Sequence, residues 1–297
     1  SMVFEARQRR PDRIVAVKVL RAAFSGPQAR RRFEREVEIT GGFEHPSIAR
    51  VFASGSLDVA GRKAPWLAME FVEGALPITL FARKKNLDSR ATVTLFREAI
   101  AGIRYAHSKG VIHRDLKPAN ILVGSNGKVR VIDFGIARLD STTQQFDTLA
   151  TMPGQVLGTV PFMAPEQIDG GREATDVRTD GYALGVVAYL LLTGRMPYEL
   201  ADCGMVEAAH RIRETMPGSL RVYDSAIDRD LDGIVQKSLE KSLTARYQSV
   251  DAMDADYKAW LEDRPVTARP LGRMVRTARW SRRNPMTASM IGAAAVS

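Results

Sequence analysis

The chain has a single cysteine, Cys203, in 297 residues. That excludes an intrachain disulfide and a cysteine-based zinc cluster. Within its body no apolar run is long enough to span a bilayer. The clearest one, GYALGVVAYLLL at 181–192, has twelve residues, where ~20 are needed. Apolar on every side, it reads as a buried core helix. Internal repeats are absent, and no secretory signal stands at residue 1, where the chain reads as cut. Acidic residues are missing from the end of the chain. From Arg264 onward there are seven arginines and no Asp or Glu. These carry most of the net charge of +9, and the rest stays near neutral at +2. A nucleic-acid partner would call for basic residues interleaved with aromatics on the folded body. Here the charge sits on a tail, so no nucleic-acid partner is expected.

The remaining composition is that of an ordinary globular protein, 45% hydrophobic and 26% charged, and the length suits about two domain-sized units of ~150 residues. Residues 1–72 read as β-rich with one helix. VFEAR and IVAVKVL form neighbouring strands around the turn QRRPD, and IARVFASGSLD and PWLAMEF form two more. Phe33, Val37 and Ile39 recur between charges over 27–40, a helical pattern that Gly41-Gly42 stops. Residues 73–262 read as mainly helical. TVTLFREAIAGIRYAHSKG has helical spacing and a glycine stop, and further helices are expected around 205–214, 228–240 and 249–262.

The most informative stretch is HRDLKPANIL at 113–122, followed by VIDFGIAR at 131–138. One short loop carries Asp115, Lys117 and Asn120, and Asp133 follows between apolar residues and a glycine. A carboxylate that accepts a hydroxyl proton, an ammonium that meets phosphate, and an amide and carboxylate that hold magnesium suit phosphoryl transfer from ATP. Three further segments stand in order with these two: VAVK ending at Lys18, FEREVEI at 33–39, and Ala164-Pro165-Glu166 after a long hydroxyl-rich segment.

Together these resemble the signature set of the protein-kinase family, over residues 1 to about 262. The closest type is the bacterial eukaryotic-like (Hanks-type) serine/threonine kinase. The resemblance implies an α+β, bilobal fold with a small β-rich lobe at 1–72 and a larger helical lobe at 73–262. It implies ATP and Mg2+ (Mn2+ as a substitute) as cofactors and proteins with Ser/Thr hydroxyls as substrates. Asp115, Lys117, Lys18 and Glu36 take the catalytic roles. The family's spacing to the His45-Pro46 turn selects Glu36, over Glu34 and Glu38, as the partner of Lys18. Asn120 and Asp133 take the metal. Val3, Ala16, Lys18, Met69, Glu70, Phe71, Val72, Leu122 and Asp133 line the nucleotide. Ala16 and Leu122 sandwich adenine, Met69 is gatekeeper, and the backbone of Glu70 to Val72 is the hinge. Lys117, with Thr159 in GTVPFMAPE, marks Ser/Thr rather than Tyr acceptors.

By the same resemblance Glu166 pairs with Arg246, and Asp180 holds the catalytic loop. Arg114 could receive a phosphate placed on the 136–163 segment, with Thr151 and then Thr148 as the sites and self-association for autophosphorylation in trans. Two departures stand out. Ser1-Met2-Val3 matches only the end of the glycine-rich loop, so the first strand would lie upstream and ATP binding by this piece would be weak. Thr40 stands where the family packs a large apolar residue on the phenylalanine that follows Asp133. At the other end, 263–285 reads as a basic juxtamembrane linker and 286–297 as the start of a membrane helix entered from the cytoplasm, placing the kinase-like body on the inner membrane. Two alternatives remain open: a pseudokinase scaffold, and a small-molecule phosphotransferase, which the Ala164-Pro165-Glu166 motif disfavours.

Overall fold

The computed structural model describes residues 2–20, 33–34, 37–59, 62–134, 159–169, 175–200 and 203–268. The β-branched strand sequences at the start pair as expected. Strands β1 (Met2–Arg9), β2 (Asp12–Val19), β3 (Val51–Val59) and β4 (Arg62–Glu70) form an antiparallel sheet in the order β1-β2-β4-β3. Alternation along β2 sends its two faces to different tasks. Ala16, Lys18 and Leu20 share one face, on which Ala16 and Leu20 pack with Val37. Leu20, Phe33, Val37, Leu67 and Met69 close a small core there, with Ala16 and Val51 packed against it.

The larger lobe begins with β5 (Leu76–Pro77), α1 (Ile78–Lys84) and the long helix α2 (Ser89–Ser108), whose first turn is capped by the Asp88 carboxylate. Strands β6 (Ile121–Val123) and β7 (Val129–Val131) join β5 in a three-stranded sheet. The short α3 (Pro165–Ile168) precedes α4 (Val177–Thr193), α5 (Met205–Glu214), α6 (Arg229–Ser238) and α7 (Val250–Leu261). Helix α4 is the 181–192 run, begun by the Asp176 cap and ended by Gly194 in the left-handed region. It is buried from Thr179 through Tyr189 and serves as the centre of the lobe. Each fully buried Leu, Val or Ile there contributes ~1.5–3 kcal/mol. Among the described residues no helix is long and apolar enough to cross a membrane.

The two sheets meet at one seam. Ile48 makes a parallel bridge to Val131; the Val131 amide donates to Ser47 O at 2.7 Å, and the Ala49 amide to Val131 O at 3.0 Å. This seam lies two residues ahead of Asp133. Gly102 of α2 allows it, since a Cβ there would stand 3.1 Å from the Ser47 carbonyl oxygen.

One expected boundary shifts. The basic linker does not begin at 263, because residues 263–268 are folded onto α7. The Arg264 amide donates to Ala259 O, Val266 is buried, and Thr267 and Ala268 are fastened to Asp256. Asp256 is itself buried and needs donors, which this return of the chain supplies. Residues 269–285 of the linker and 286–297 lie outside the described residues.

Candidate active site

The loop 113–120 is held from below by one buried carboxylate. Asp180, on the first turn of α4, accepts the Arg114 amide on Oδ1 at 2.8 Å and the His113 amide on Oδ2 at 2.8 Å. His107, on the last turn of α2, meets the same Oδ2 through Nε2 at 2.7 Å. Such bonding matters because Arg114 has φ 63° and Asp133 φ 60°. Left-handed backbone at a non-glycine residue costs about 1–3 kcal/mol and persists only where the surroundings impose it.

His113 is fully buried. Its Nε2–H donates to Ile132 O at 3.0 Å and its Nδ1 accepts the Asp115 amide at 3.3 Å. Burial lowers its pKa against the pull of Asp180, so the ring is neutral and holds one tautomer. It lies tilted at 44° and 4.7 Å from the Phe134 ring, which Phe43 meets face to edge at 5.5 Å. Phe43, rather than the residue at position 40, supplies the aromatic contact to Phe134. Thr40 is buried with its hydroxyl 3.4 Å from Val37 O. The chain gains its apolar partner three residues later, after the Gly41-Gly42 turn.

Around Asp115 the expected side chains converge. Lys117 Nζ donates to Asp115 Oδ2 and to Thr159 Oγ1, both at 3.0 Å. Asn120 Nδ2 donates to the Asp115 carbonyl at 2.8 Å and to its Oδ2 at 3.3 Å. That commits the amide nitrogen to the loop and leaves the carbonyl oxygen as the ligand end. The Ile132 amide donates to Asn120 O, tying the loop to β7 and so to Asp133.

Across from this loop Lys18 Nζ pairs with Asp133 Oδ2 at 2.7 Å, the two side chains 16% and 21% exposed. Glu36, the expected partner of Lys18, lies outside the described residues, as do Thr148 and Thr151. Asp133 Oδ1 is buried and makes no hydrogen bond among the described residues. A buried carboxylate oxygen in that condition, beside an asparagine carbonyl, is the donor chemistry that a hard cation takes. Among the described residues no cluster of three or more His, Cys, Asp or Glu side chains could hold a metal alone. Two protein oxygens with phosphates completing the shell therefore fit magnesium.

Of the remaining expected residues, Ala16 pairs in register with Met69, and Val3 with Lys18. Met69 is buried, Leu122 half-buried and Val3 exposed. Glu70 sends its side chain to Arg130 at 2.8 Å and its amide to Arg50 O. Phe71 and Val72 follow directly, and the Val72 carbonyl accepts the Ala75 amide. Glu166 and Arg246 form a buried ion pair at 2.8 Å. Three contributors carried no motif signal that single-residue reading could use: Phe43, His107 and Gln167. Gln167 alone could have been suspected, from its place beside Glu166.

A small β lobe beside a helical one, an Asp–Lys–Asn loop and a facing Lys–Asp pair are the parts of a protein kinase, and the comparisons agree. The protein kinase domain family model matches residues 1–258. The chain belongs to the protein kinase domain family. It is 36% identical over 269 residues to a probable serine/threonine-protein kinase of Streptomyces coelicolor, covering 90% of this chain and 39% of that one. It is 36% identical over 260 residues to serine/threonine-protein kinase PknB of Mycobacterium leprae, covering 86% and 40%. The chain thus spans about two fifths of the length of these relatives. Among solved structures, the Mycobacterium tuberculosis PknI kinase domain matches with a TM-score of 0.64 and 26% identity, over 86% of this chain and 89% of that one.

Proposed function

We propose that this chain is an ATP-dependent serine/threonine protein kinase. The observation that carries the reading is the bonded set Asp115–Lys117–Thr159 with Asn120 on the same carboxylate. It places a base, a cation and an acceptor-side threonine on one spot. The acceptor hydroxyl loses its proton to Asp115 as its oxygen bonds to the γ-phosphorus. The bond from that phosphorus to the bridging oxygen breaks, and ADP leaves. Lys117 offsets the charge on the phosphoryl oxygens, and little else is required than position and charge. Lys18 exchanges Asp133 for the phosphates when nucleotide enters. Asn120 and Asp133 would hold magnesium, which supplies divalent charge to the phosphates. Val3, Ala16, Met69, Glu70, Phe71, Val72 and Leu122 would bound the nucleotide.

The same reading extends to regulation and place. Phosphate on Thr148 or Thr151, added in trans by a second copy, would meet Arg114. The arginine-rich stretch beyond Ala268 and the apolar residues 286–297 would tether the kinase to the inner membrane. The sequence alone supports these two points.

The test is phosphotransfer from Mg-ATP by the 297-residue chain to itself and to a threonine peptide, mapped by mass spectrometry, beside Asp115→Asn. Phosphothreonine that disappears in the variant supports the reading. Phosphate equally present in both, or found only on small alcohols, overturns it.

A further inference from the structure

Arg114 is the residue whose peptide leads directly into Asp115, and its left-handed backbone is held at both ends. The amide goes to Asp180. The carbonyl accepts Gln167 Nε2 at 3.1 Å. Gln167 is itself buried, 6% exposed, on α3. Its other amide atom, Oε1, accepts the Ala164 amide at 3.0 Å. One residue earlier, Glu166 is fixed by Arg246 and by the Thr179 hydroxyl at 2.9 Å. The backbone at 164–168 is therefore rigid, and Gln167 spans from it to the catalytic loop.

We propose that Gln167 is a positioning residue for phosphoryl transfer, transmitting the seating of the acceptor-side segment 159–166 to the peptide that aims Asp115. The inference rests on the kinase reading above. Two links then join that segment to Asp115. Thr159 reaches its side chain through Lys117, and Gln167 reaches its backbone through Arg114. The chemistry requires an amide. The donor end must meet a carbonyl and the acceptor end an N–H, a pair that the Gln amide supplies with no change of protonation state, and Asn is one methylene shorter. Without the donor, the strained Arg114–Asp115 peptide loses the bond on its carbonyl and keeps the longer one, 3.3 Å, from the Asp115 amide to His113 Nδ1.

Gln167→Glu separates this role from a purely structural one. An ionised glutamate still accepts the Ala164 amide but presents a second acceptor to the Arg114 carbonyl. Gln167→Met, of similar size, loses both bonds. The expected result for Gln167→Glu is a kcat lower by about 10-fold or more, since small misplacements of a reacting group cost that much. The KM for ATP stays within about 2-fold, because the nucleotide contacts are elsewhere. Both variants lower the melting temperature, the Glu by placing a buried carboxylate oxygen against a carbonyl and the Met by leaving two backbone groups without partners, so kcat is compared at a temperature where each is folded. A kcat for Gln167→Glu equal to wild type overturns the proposal. Should the unaltered chain transfer no phosphate, the kinase reading fails by itself. Amide exchange over 111–117 then decides the positioning role: faster exchange in Gln167→Glu upholds it, and unchanged exchange overturns it.

Discussion

Arg246 and Glu166 lie 80 residues apart in sequence and form an ion pair that is 0% and 7% exposed. The arginine spends its other donors on the carbonyls of Arg178, Glu240 and Lys241, and its guanidinium stands over the Tyr182 ring at 4.9 Å. Among the described residues the glutamate has one further side-chain partner, the Thr179 hydroxyl. The asymmetry sets an order. Arg246→Leu strands a buried carboxylate and orphans three carbonyls, with an expected loss of ~3–5 kcal/mol. Glu166→Gln leaves Arg246 bonded to backbone and costs less. Urea unfolding of the two variants checks the ranking; equal losses would mean that the backbone bonds to Arg246 contribute nothing.

Helices α4 and α6 touch where Gly185 faces Ser238. A Cβ on Gly185 would stand 2.7 Å from Ser238 Cβ and 3.2 Å from a Leu239 methyl. Alanine improves helix propensity by ~1 kcal/mol, but overpacking a close helix contact costs ~1–3 kcal/mol. The Ser238 side chain cannot yield, because its hydroxyl is bonded to Ile234 O inside α6. Gly185→Ala is therefore expected to lower the melting temperature, and Gly185→Ala with Ser238→Ala leaves the clash in place because the Cβ remains. Differential scanning calorimetry measures both.

The catalytic letters were legible because they are contiguous. Asp115, Lys117 and Asn120 act within six residues, so their chemistry can be read along the loop, and Asp133 follows one hairpin later. The unbroken apolar run at 181–192 likewise announces a buried helix. What stayed hidden depends on contacts between distant segments. Phe43 meets Phe134, His107 and Asp180 meet under the loop, and Gln167 reaches Arg114. Only Gln167 stands beside a motif residue, and even there the neighbouring Glu166 does not reveal its partner. The boundary at 263 failed for the same reason: RPVT reads as an extended linker until the buried carboxylate of Asp256 is seen to need it.

Asp256 makes that point testable. Its carboxylate accepts the Tyr247 hydroxyl at 2.6 Å, the Thr267 amide at 2.7 Å, the Thr267 hydroxyl at 2.8 Å and the Ala268 amide at 2.9 Å. Burial and the neighbouring carboxylate push the Tyr247 phenol far above its ordinary pKa, so it remains a donor. Asp256→Asn replaces one acceptor oxygen by an NH2 facing donors. A loss of ~2–3 kcal/mol is expected, as for hydrogen bonds to a charged group. Faster amide exchange should be confined to Thr267 and Ala268. Unchanged exchange there would mean that 266–268 is held by the burial of Val266 alone.

Lys241 gives a pH signature with a defined sign. Its ammonium donates to the Tyr198 hydroxyl at 2.7 Å and to Ile212 O at the end of α5, and lies 4.2 Å over the Tyr198 ring. Burial, then Arg246, lower its pKa from 10.5 to about 8, against the opposing pull of Glu214 and Glu240. The folded pKa is below the unfolded one, so between about 8 and 10.5 the unfolded chain binds a proton that the folded chain does not. Stability therefore rises with pH across that window. Tyr198, pushed up to about 12 by burial, acts oppositely once unfolded tyrosines ionise near 10, so the clean interval is pH 8–10. Partial exposure of Lys241 trims its contribution to on the order of 1 kcal/mol. Urea unfolding at steps across this interval should show the rise in wild type and a flatter curve in Lys241→Met. Identical slopes in the two proteins would mean that Lys241 keeps an ordinary pKa in the folded state and that its bonds to Tyr198 and Ile212 fully offset its burial.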